Sequence, residues 1–258
     1  MAFTLTDKHY FEFYSLGYTV FQSVLPPALI ADLRRVSARG TEIIRRKTQA
    51  NVQRFQPVSA FDIDQKPFED YRDLAVLRDA FAALLSPRHQ HGKLNILGVL
   101  IEPAERPWCT NWHRDHLHHM QGLNQENVNY TDIDLFNQIN CALYEDSSTW
   151  VVPGSHLRDE LPSEVAAFQK PPVPGPDLEN TTPEEAEARC LQYCRRMPGA
   201  VQLCLNAGDL AVYRNNLWHI GNYTPYKKRA TLHDALDTDA YVAWRDALKT
   251  ALPPKRKG

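Results

Sequence analysis

No stretch of this 258-residue chain is both long enough and apolar enough to span a bilayer, so a membrane-embedded protein is not expected. An excess of charge is missing too. Lys and Arg number 29 against 31 Asp and Glu, a net charge of −2, which leaves no global basic field to favour nucleic acid or an anionic membrane surface. A small-molecule partner fits better. Cysteine is sparse, and its five residues (Cys109, Cys141, Cys190, Cys194 and Cys204) form an odd set without regular spacing. That excludes a disulfide framework and points to reduced, inert thiols and a cytoplasmic location. Residues 1–7 lack the basic segment and apolar run of a secretory leader. Internal repeats are absent, and no feature specifies an oligomeric state. What is present is 43% hydrophobic and 23% charged, the balance of a globular protein with room for one large β domain and flanking helices.

Along the chain, Thr6 offers an N-cap, Phe11, Tyr14 and Ser15 follow at helical spacing, and Gly17 stands where a glycine would end a short helix before a strand at 18–21. Pro26-Pro27 opens a longer helix to about Lys47. Its Arg34, Arg35, Arg45, Arg46 and Lys47 read as a solvated face, with phosphate or coenzyme binding as the sharper alternative. Residues 68–85 predict one further helix with Leu74, Leu77, Phe81 and Leu84 on one side. Short strands are expected at 94–101, 108–115, 138–144, 150–152, 200–205, 210–213, 218–221 and 229–235. Many short strands separated by Gly, Pro and Asn turns predict a mainly β single domain of jelly-roll type, two antiparallel sheets with flanking helices. The segment 157–198 interrupts that rhythm with Pro171, Pro172, Pro174 and Pro176, then a capping-box start at Thr182-Pro183-Glu184-Glu185. It reads as an insertion or lid beside the site mouth. The basic end at 255–257 is expected to fray, a nuclear address being the alternative.

Chemistry concentrates in Asn111-Trp112-His113-Arg114-Asp115-His116. On a strand, His113 and Asp115 project to one face with Arg114 behind them. An imidazole and a carboxylate side by side make two thirds of a metal site, and His219 is the best third ligand. Two histidines and one carboxylate on one side of a metal are the set used by non-haem Fe(II) oxygenases, although zinc, copper and nickel accept the same donors. The bland alternative is a hydrogen-bonded core histidine.

The company these residues keep is more specific than any of them alone. Val152-Pro153-Gly154-Ser155-His156 follows the middle strand, Ala207-Gly208-Asp209-Leu210 precedes the strand to His219, and Arg229-Ala230-Thr231 comes after it. In that order, from about Phe11 to about Leu232, the chain resembles the phytanoyl-CoA dioxygenase family of Fe(II)- and 2-oxoglutarate-dependent oxygenases. The resemblance implies a double-stranded β-helix and an oxidoreductase that uses Fe(II), 2-oxoglutarate and O2. It further implies release of succinate and CO2 with hydroxylation of a small organic substrate as the default outcome. Related halogenases carry a small residue where this chain has Asp115, so the intact carboxylate speaks against halogenation. Desaturation, epoxidation and rearrangement stay open.

Around the triad, Arg229 is expected to face the cavity, where a guanidinium can hold a carboxylate by two hydrogen bonds. The resemblance assigns it the distal carboxylate of 2-oxoglutarate, with Thr231 adding a hydroxyl contact; an Arg paired with a structural acid is the alternative. Asn140 lies where family members contact the co-substrate, and Asn95 and Thr110 are further candidates. His116, His118 and Trp218 are candidate substrate contacts; His119 joins them in the same loop. The run Trp-His-Arg-Asp-His-x-His-His is similar to that of natural-product tailoring enzymes, which points to a secondary metabolite. Two other classes remain: a non-catalytic jelly-roll binding protein, and a cupin-type metal-dependent hydrolase or isomerase in which Arg229 binds an acidic substrate directly.

Overall fold

A computed structural model describes residues 3–48, 52–92, 95–115, 131–167 and 175–251. Helix α1 (Asp7–Phe11) runs into a π-helical turn at Glu12–Leu16. Gly17 ends it at φ +86°, donating its N–H to the carbonyls of Glu12 and Phe13. A Cβ at Gly17 would stand 2.5 Å from Nδ1 of His156, so this helix stop also packs on a distant turn. Strand β1 (Tyr18–Phe21) leads to α2 (Pro27–Lys47), whose first turn carries the expected proline.

The single helix expected over 68–85 is two helices, α3 (Lys66–Arg72) and α4 (Ala75–Leu84). The reason is burial. On one uninterrupted helix, advancing about 100° per residue, Phe68 and Tyr71 would face away from Leu77, Phe81 and Leu84. The break at Asp73 and Leu74 lets all five enter the same core.

The remaining strands are β2 (Arg54–Phe55), β3 (Gln90–His91), β4 (Gly98–Ile101), β5 (Trp108–Cys109), β6 (Asn137–Ala142), β7 (Thr149–Val151), β8 (Val201–Gln202), β9 (Leu210–Arg214), β10 (His219–Tyr223) and β11 (Ala230–Asp237). They form two antiparallel sheets. The larger has the order β1-β9-β6-β11-β4-β2, with β3 paired to the far end of β11, and the smaller has the order β5-β10-β7-β8. Every neighbouring pair except β7 and β8 is non-consecutive in sequence, the crossing pattern of the jelly roll that the strand pattern predicted and of the double-stranded β-helix that the resemblance implied.

Period-two alternation decides which side chains meet the cavity between the sheets. On β6, Ile139 and Cys141 enter the core beneath α2, α3 and α4, so Gln138 and Asn140 point the other way. On β11, Leu232 and Leu236 bury in that core, which turns Thr231 and His233 inward to the space between the sheets. The main-sheet strands pair in register, Gln138 opposite Tyr213 and Asn140 opposite His233. Arg34 and Arg45 on α2 are not simply solvated. Arg34 Nε donates to the Leu143 carbonyl at 2.7 Å, and Arg45 meets Glu102, so both tie the helix to the sheet.

Within the expected insertion, α5 (Pro162–Ala167) and α6 (Pro183–Arg196) are helical. Thr182 caps α6 by accepting from the Glu185 amide at 3.2 Å, while Glu185 reaches back to the Thr182 amide. The buried face of α6, Ala186, Cys190, Tyr193 and Cys194, covers the outer side of the small sheet against Trp112, Trp150 and Trp218. A last helix, α7 (Asp239–Ala251), follows β11 and packs Tyr241 on Leu135 and Phe136. All five cysteines are free, and only Cys204 is exposed.

Candidate metal centre and co-substrate cavity

Residues 111–115 do not form the strand expected of them. After the two-residue β5, the backbone is held by bonds to the neighbouring strand and turn: Thr110 N–H to Gly221 O at 2.9 Å, a reciprocal His113–His219 bridge at 3.1 and 3.0 Å, and Asp115 N–H to Asn215 O at 2.9 Å. The expected alternation survives this irregularity. His113 and Asp115 face the cavity, while Arg114 is buried behind them, its guanidinium 5.4 Å from the Trp218 ring centre and donating to the Arg158 carbonyl at 3.0 Å.

One ligand-type atom from each of His113, Asp115 and His219 lies within 4.8 Å of the others, the one such cluster among the described residues. Nε2 of His113 stands 3.7 Å from Oδ1 of Asp115, and the two imidazole centres are 4.2 Å apart. Each imidazole is oriented by its own backbone. Nδ1 of His113 lies 2.6 Å from the Asn111 carbonyl and Nδ1 of His219 lies 2.9 Å from that of Leu217. A carbonyl only accepts, so both Nδ1 atoms carry the proton, and both Nε2 atoms offer a lone pair toward the shared space. Two neutral imidazoles and a carboxylate oxygen are a donor set suited to a divalent transition metal.

Asp115 is itself held. Its Oδ2 accepts from Nε2 of Gln138 at 2.8 Å and from Nδ2 of Asn215 at 3.2 Å, and the hydroxyl of Tyr213 donates to Oε1 of Gln138 at 2.8 Å. Burial pushes the Tyr213 hydroxyl well above the usual tyrosine range, so it stays a donor.

The cavity that these residues open into measures about 530 Å3 and carries Arg54, Asn140, Tyr213, Tyr223, Arg229 and His233 on its other walls. Arg229, 4% exposed, faces it as expected, but the guanidinium already has a protein partner. Nε donates to Oδ2 of Asp146 at 2.9 Å, and the same carboxylate accepts from the Thr231 hydroxyl. Burial alone would lower the Arg229 pKa, but Asp146 and Tyr223 together more than offset it and hold the pKa above the usual value. Nη1 of Arg229 has no hydrogen-bond partner among the described residues. An unsatisfied buried guanidinium donor is costly, and a carboxylate acceptor entering the cavity would satisfy it. The Tyr223 ring lies beneath the guanidinium at 4.9 Å. Gly221 makes room for that ring, since a Cβ there would overlap the Tyr223 hydroxyl at 1.8 Å.

Other expectations need correcting. The Thr231 hydroxyl is spent on Asp146, and Thr231, although on the inward face of β11, is fully buried and does not line the cavity. Asn95 is exposed, sits at φ +49° outside any strand and donates to Ser59 at 3.0 Å; the strand expected from residue 94 begins only at Gly98. Trp218 points away from the cavity into the tryptophan cluster under α6, because alternation turns it opposite to His219. Asn140 and Thr110 do line the cavity. The first takes Nδ1 of His233 on its Oδ1 at 2.8 Å, and the second accepts from the Gly221 amide at 3.0 Å. His116, His118 and His119 lie outside the described residues. Gln138, Arg54, Tyr213, Tyr223, Asp146 and His233 were missed, although inward alternation on the strands carrying Arg229 and Asn140 marks His233 and Gln138 from sequence. Burial, then the nearby Arg54 charge, pushes the His233 pKa down to about 3.

The family model described as Phytanoyl-CoA dioxygenase (PhyH) matches residues 13–223. A comparison with curated proteins finds no match. Among solved structures, AviO1 from Streptomyces viridochromogenes Tue57 is 16% identical, with 91% of this chain covering 97% of that one at a TM-score of 0.58. The non-heme alpha ketoglutarate dependent epimerase SnoN from nogalamycin biosynthesis is also 16% identical, covering 98% and 93% at a TM-score of 0.56. EctD from S. alaskensis, solved with 2-oxoglutarate and 5-hydroxyectoine, is 17% identical, covering 92% and 77% at a TM-score of 0.58. At these identities the structural likeness carries the fold.

Proposed function

The chain belongs to the phytanoyl-CoA dioxygenase family, and from that premise we propose that it hydroxylates a small organic substrate at a centre held by His113, Asp115 and His219. As a member of that family it is an Fe(II)- and 2-oxoglutarate-dependent oxygenase, and O2 is its second co-substrate. Membership sets aside the binding-protein and hydrolase alternatives. The single observation that carries the site assignment is the convergence of one ligand atom from each of His113, Asp115 and His219 within 4.8 Å.

Iron held by His113, Asp115 and His219 would supply the oxidising chemistry, with O2 as the oxidant: one oxygen atom would go into succinate as the 2-oxo acid loses CO2, and the other into the substrate. The protein's own residues do the rest. His113 and His219 present fixed lone pairs because backbone carbonyls hold their Nδ1 protons. Arg229 gives Nη1 to the distal carboxylate of 2-oxoglutarate, while Asp146 holds Nε and thereby the plane of the guanidinium. Asn140 and Thr110 line the same cavity, and their side chains face the co-substrate. Thr231 acts one step removed, through Asp146. The walls Leu100, Trp112 and Ile220 help exclude water from the reacting centre.

For the substrate, the reading is a secondary metabolite. Its support is the histidine-rich run after Asp115 together with solved relatives named for nogalamycin biosynthesis, one of them holding Fe3+, alpha ketoglutarate and nogalamycin RO. The residues 157–198 are proposed as an insertion that borders the site. No helix among the described residues is long and apolar enough to cross a membrane, and a cytoplasmic location is proposed on the free thiols. The test is anaerobic loading with Fe(II) and 2-oxoglutarate, exposure to O2, and a screen for compounds that accelerate succinate release. Products carrying one added oxygen support hydroxylation. A stimulating compound recovered as an epimer, or as a ring-closed product with two hydrogens fewer and no added oxygen, contradicts it.

A further inference from the structure

Asp115 has two carboxylate oxygens, and the protein treats them differently. Oδ1 is the atom 3.7 Å from Nε2 of His113. Oδ2 accepts two amide donors, Gln138 Nε2 at 2.8 Å and Asn215 Nδ2 at 3.2 Å. An amide can present either a donor or an acceptor end, so something must fix which end of Gln138 faces the carboxylate. Tyr213 does so. It stands directly opposite Gln138 in the β6–β9 register, and its hydroxyl donates to Oε1 at 2.8 Å, which leaves the NH2 end for Asp115. The reversed Gln138 amide would set an acceptor against a carboxylate.

We propose that Gln138, oriented by Tyr213 and joined by Asn215, is a positioning residue that occupies Oδ2 and so makes Asp115 a one-oxygen metal ligand. This rests on the metal-centre reading. Two donors on Oδ2 draw its lone pairs away from the cavity, whereas a carboxylate left free can bring both oxygens to one cation. Restricting Asp115 to Oδ1 keeps a coordination position for the co-substrates, which matters in a centre that has only three protein ligands. None of this needs Gln138 to touch substrate or metal.

The test uses Co(II) titrated into the full-length apoprotein, followed by its visible absorption, which responds to coordination number. Gln138→Met keeps the length of the side chain and removes both ends of the amide. It should weaken Co(II) binding about tenfold to a hundredfold, the range for an outer partner of a metal ligand, and change the intensity of the absorption as the freed carboxylate adds its second oxygen. Tyr213→Phe should shift binding in the same direction by less, because the amide remains but is free to turn. A merely structural role would lower stability without moving the spectrum. Co(II) affinity within twofold of wild type together with an unchanged spectrum in Gln138→Met overturns the proposal. Should that variant fail to fold, an unchanged spectrum and affinity in Tyr213→Phe does the same. Failure of the wild-type protein to take up Co(II) at all overturns the metal-centre reading itself, a different outcome from a normal wild type with an indifferent variant.

Discussion

Asp146 is buried behind Arg229 and answers to three groups at once: Arg229 Nε at 2.9 Å, the Thr231 hydroxyl, and the Ser148 amide at 2.8 Å. Burial opposes its charge, yet Arg229 and the two hydrogen-bond donors hold its carboxyl below the usual range. The Arg229 pair is therefore an ion pair with one free end, and replacing its two members should have different consequences. Arg229→Ala should raise the 2-oxoglutarate requirement tenfold or more without changing metal content. It should also cost about 3–5 kcal/mol of stability, because Asp146 is left charged and buried without its partner. Asp146→Asn should raise the requirement less, since Nη1 survives and only its orientation loosens. Steady-state KM for 2-oxoglutarate with metal analysis and denaturant unfolding checks both, and equal KM values in Arg229→Ala and wild type would remove the anchoring role. Gly221→Ala should act on the same end of the cavity by driving a methyl into the Tyr223 hydroxyl, raising KM for 2-oxoglutarate while His219, two residues away, still binds metal. At this scale the clustering of His113, Asp115 and His219 and the placing of Arg229 on the cavity were legible in the sequence, because residue type and order are enough to mark them. Asp146 was out of reach: nothing local says that an acid 83 positions before Arg229 will lie against it, and Thr231 was misassigned for the same reason. Asn95 and Trp218 failed because a strand start and a facing were each placed wrongly.

Among the elements, the clearest lesson is that β11 and β6 were legible and the segment at 108–115 was not. Regular alternation over eight residues in β11 and six in β6 sorts core from cavity. Residues 110–115 have no such regularity, and their backbone is fixed by Gly221, His219 and Asn215, partners a hundred positions away. The α3–α4 break was equally hidden, since both halves carry helical periodicity and only the common core demands the kink. The short 3-10 turn at Ser155–Leu157 supplies a testable property of its own. It carries His156, buried against Gly17 and pushed down to about pKa 4, mainly by burial and then by the charge of Arg214. In the unfolded chain the same side chain protonates near 6.5, so between those values the unfolded state binds the extra proton. The contribution of this site is complete above about pH 6.5 and is lost as the pH falls toward 4, a change of roughly 3 kcal/mol by linkage. Urea unfolding across that range should show the decline in wild type and a shallower one in His156→Gln. Parallel profiles for the two proteins would remove His156 as the cause.

At the scale of the whole molecule, the two sheets divide the work. The large sheet buries its outer face under α2, α3 and α4 and turns Gln138, Asn140, Tyr213 and His233 inward. The small sheet brings His219, bridges it to His113, and is backed by the tryptophans under α6. The site thus depends on both sheets keeping their spacing, with Gln138 from one reaching Asp115 beside the other. The jelly-roll architecture was readable from strand number and turn chemistry, whereas α7 was missed although Thr238 caps it by accepting from the Tyr241 amide and Tyr241 and Trp244 recur at helical spacing. The measurement that reaches the central claim most directly is anaerobic titration of the purified protein with Fe(II) in the presence of 2-oxoglutarate, monitored by the visible charge-transfer absorption of an iron-bound 2-oxo acid. One equivalent of Fe(II) should develop that absorption in wild type, and His113→Ala, Asp115→Ala and His219→Ala should each abolish it. Full absorption retained in His219→Ala, or none in wild type with iron and 2-oxoglutarate in excess, would contradict the account.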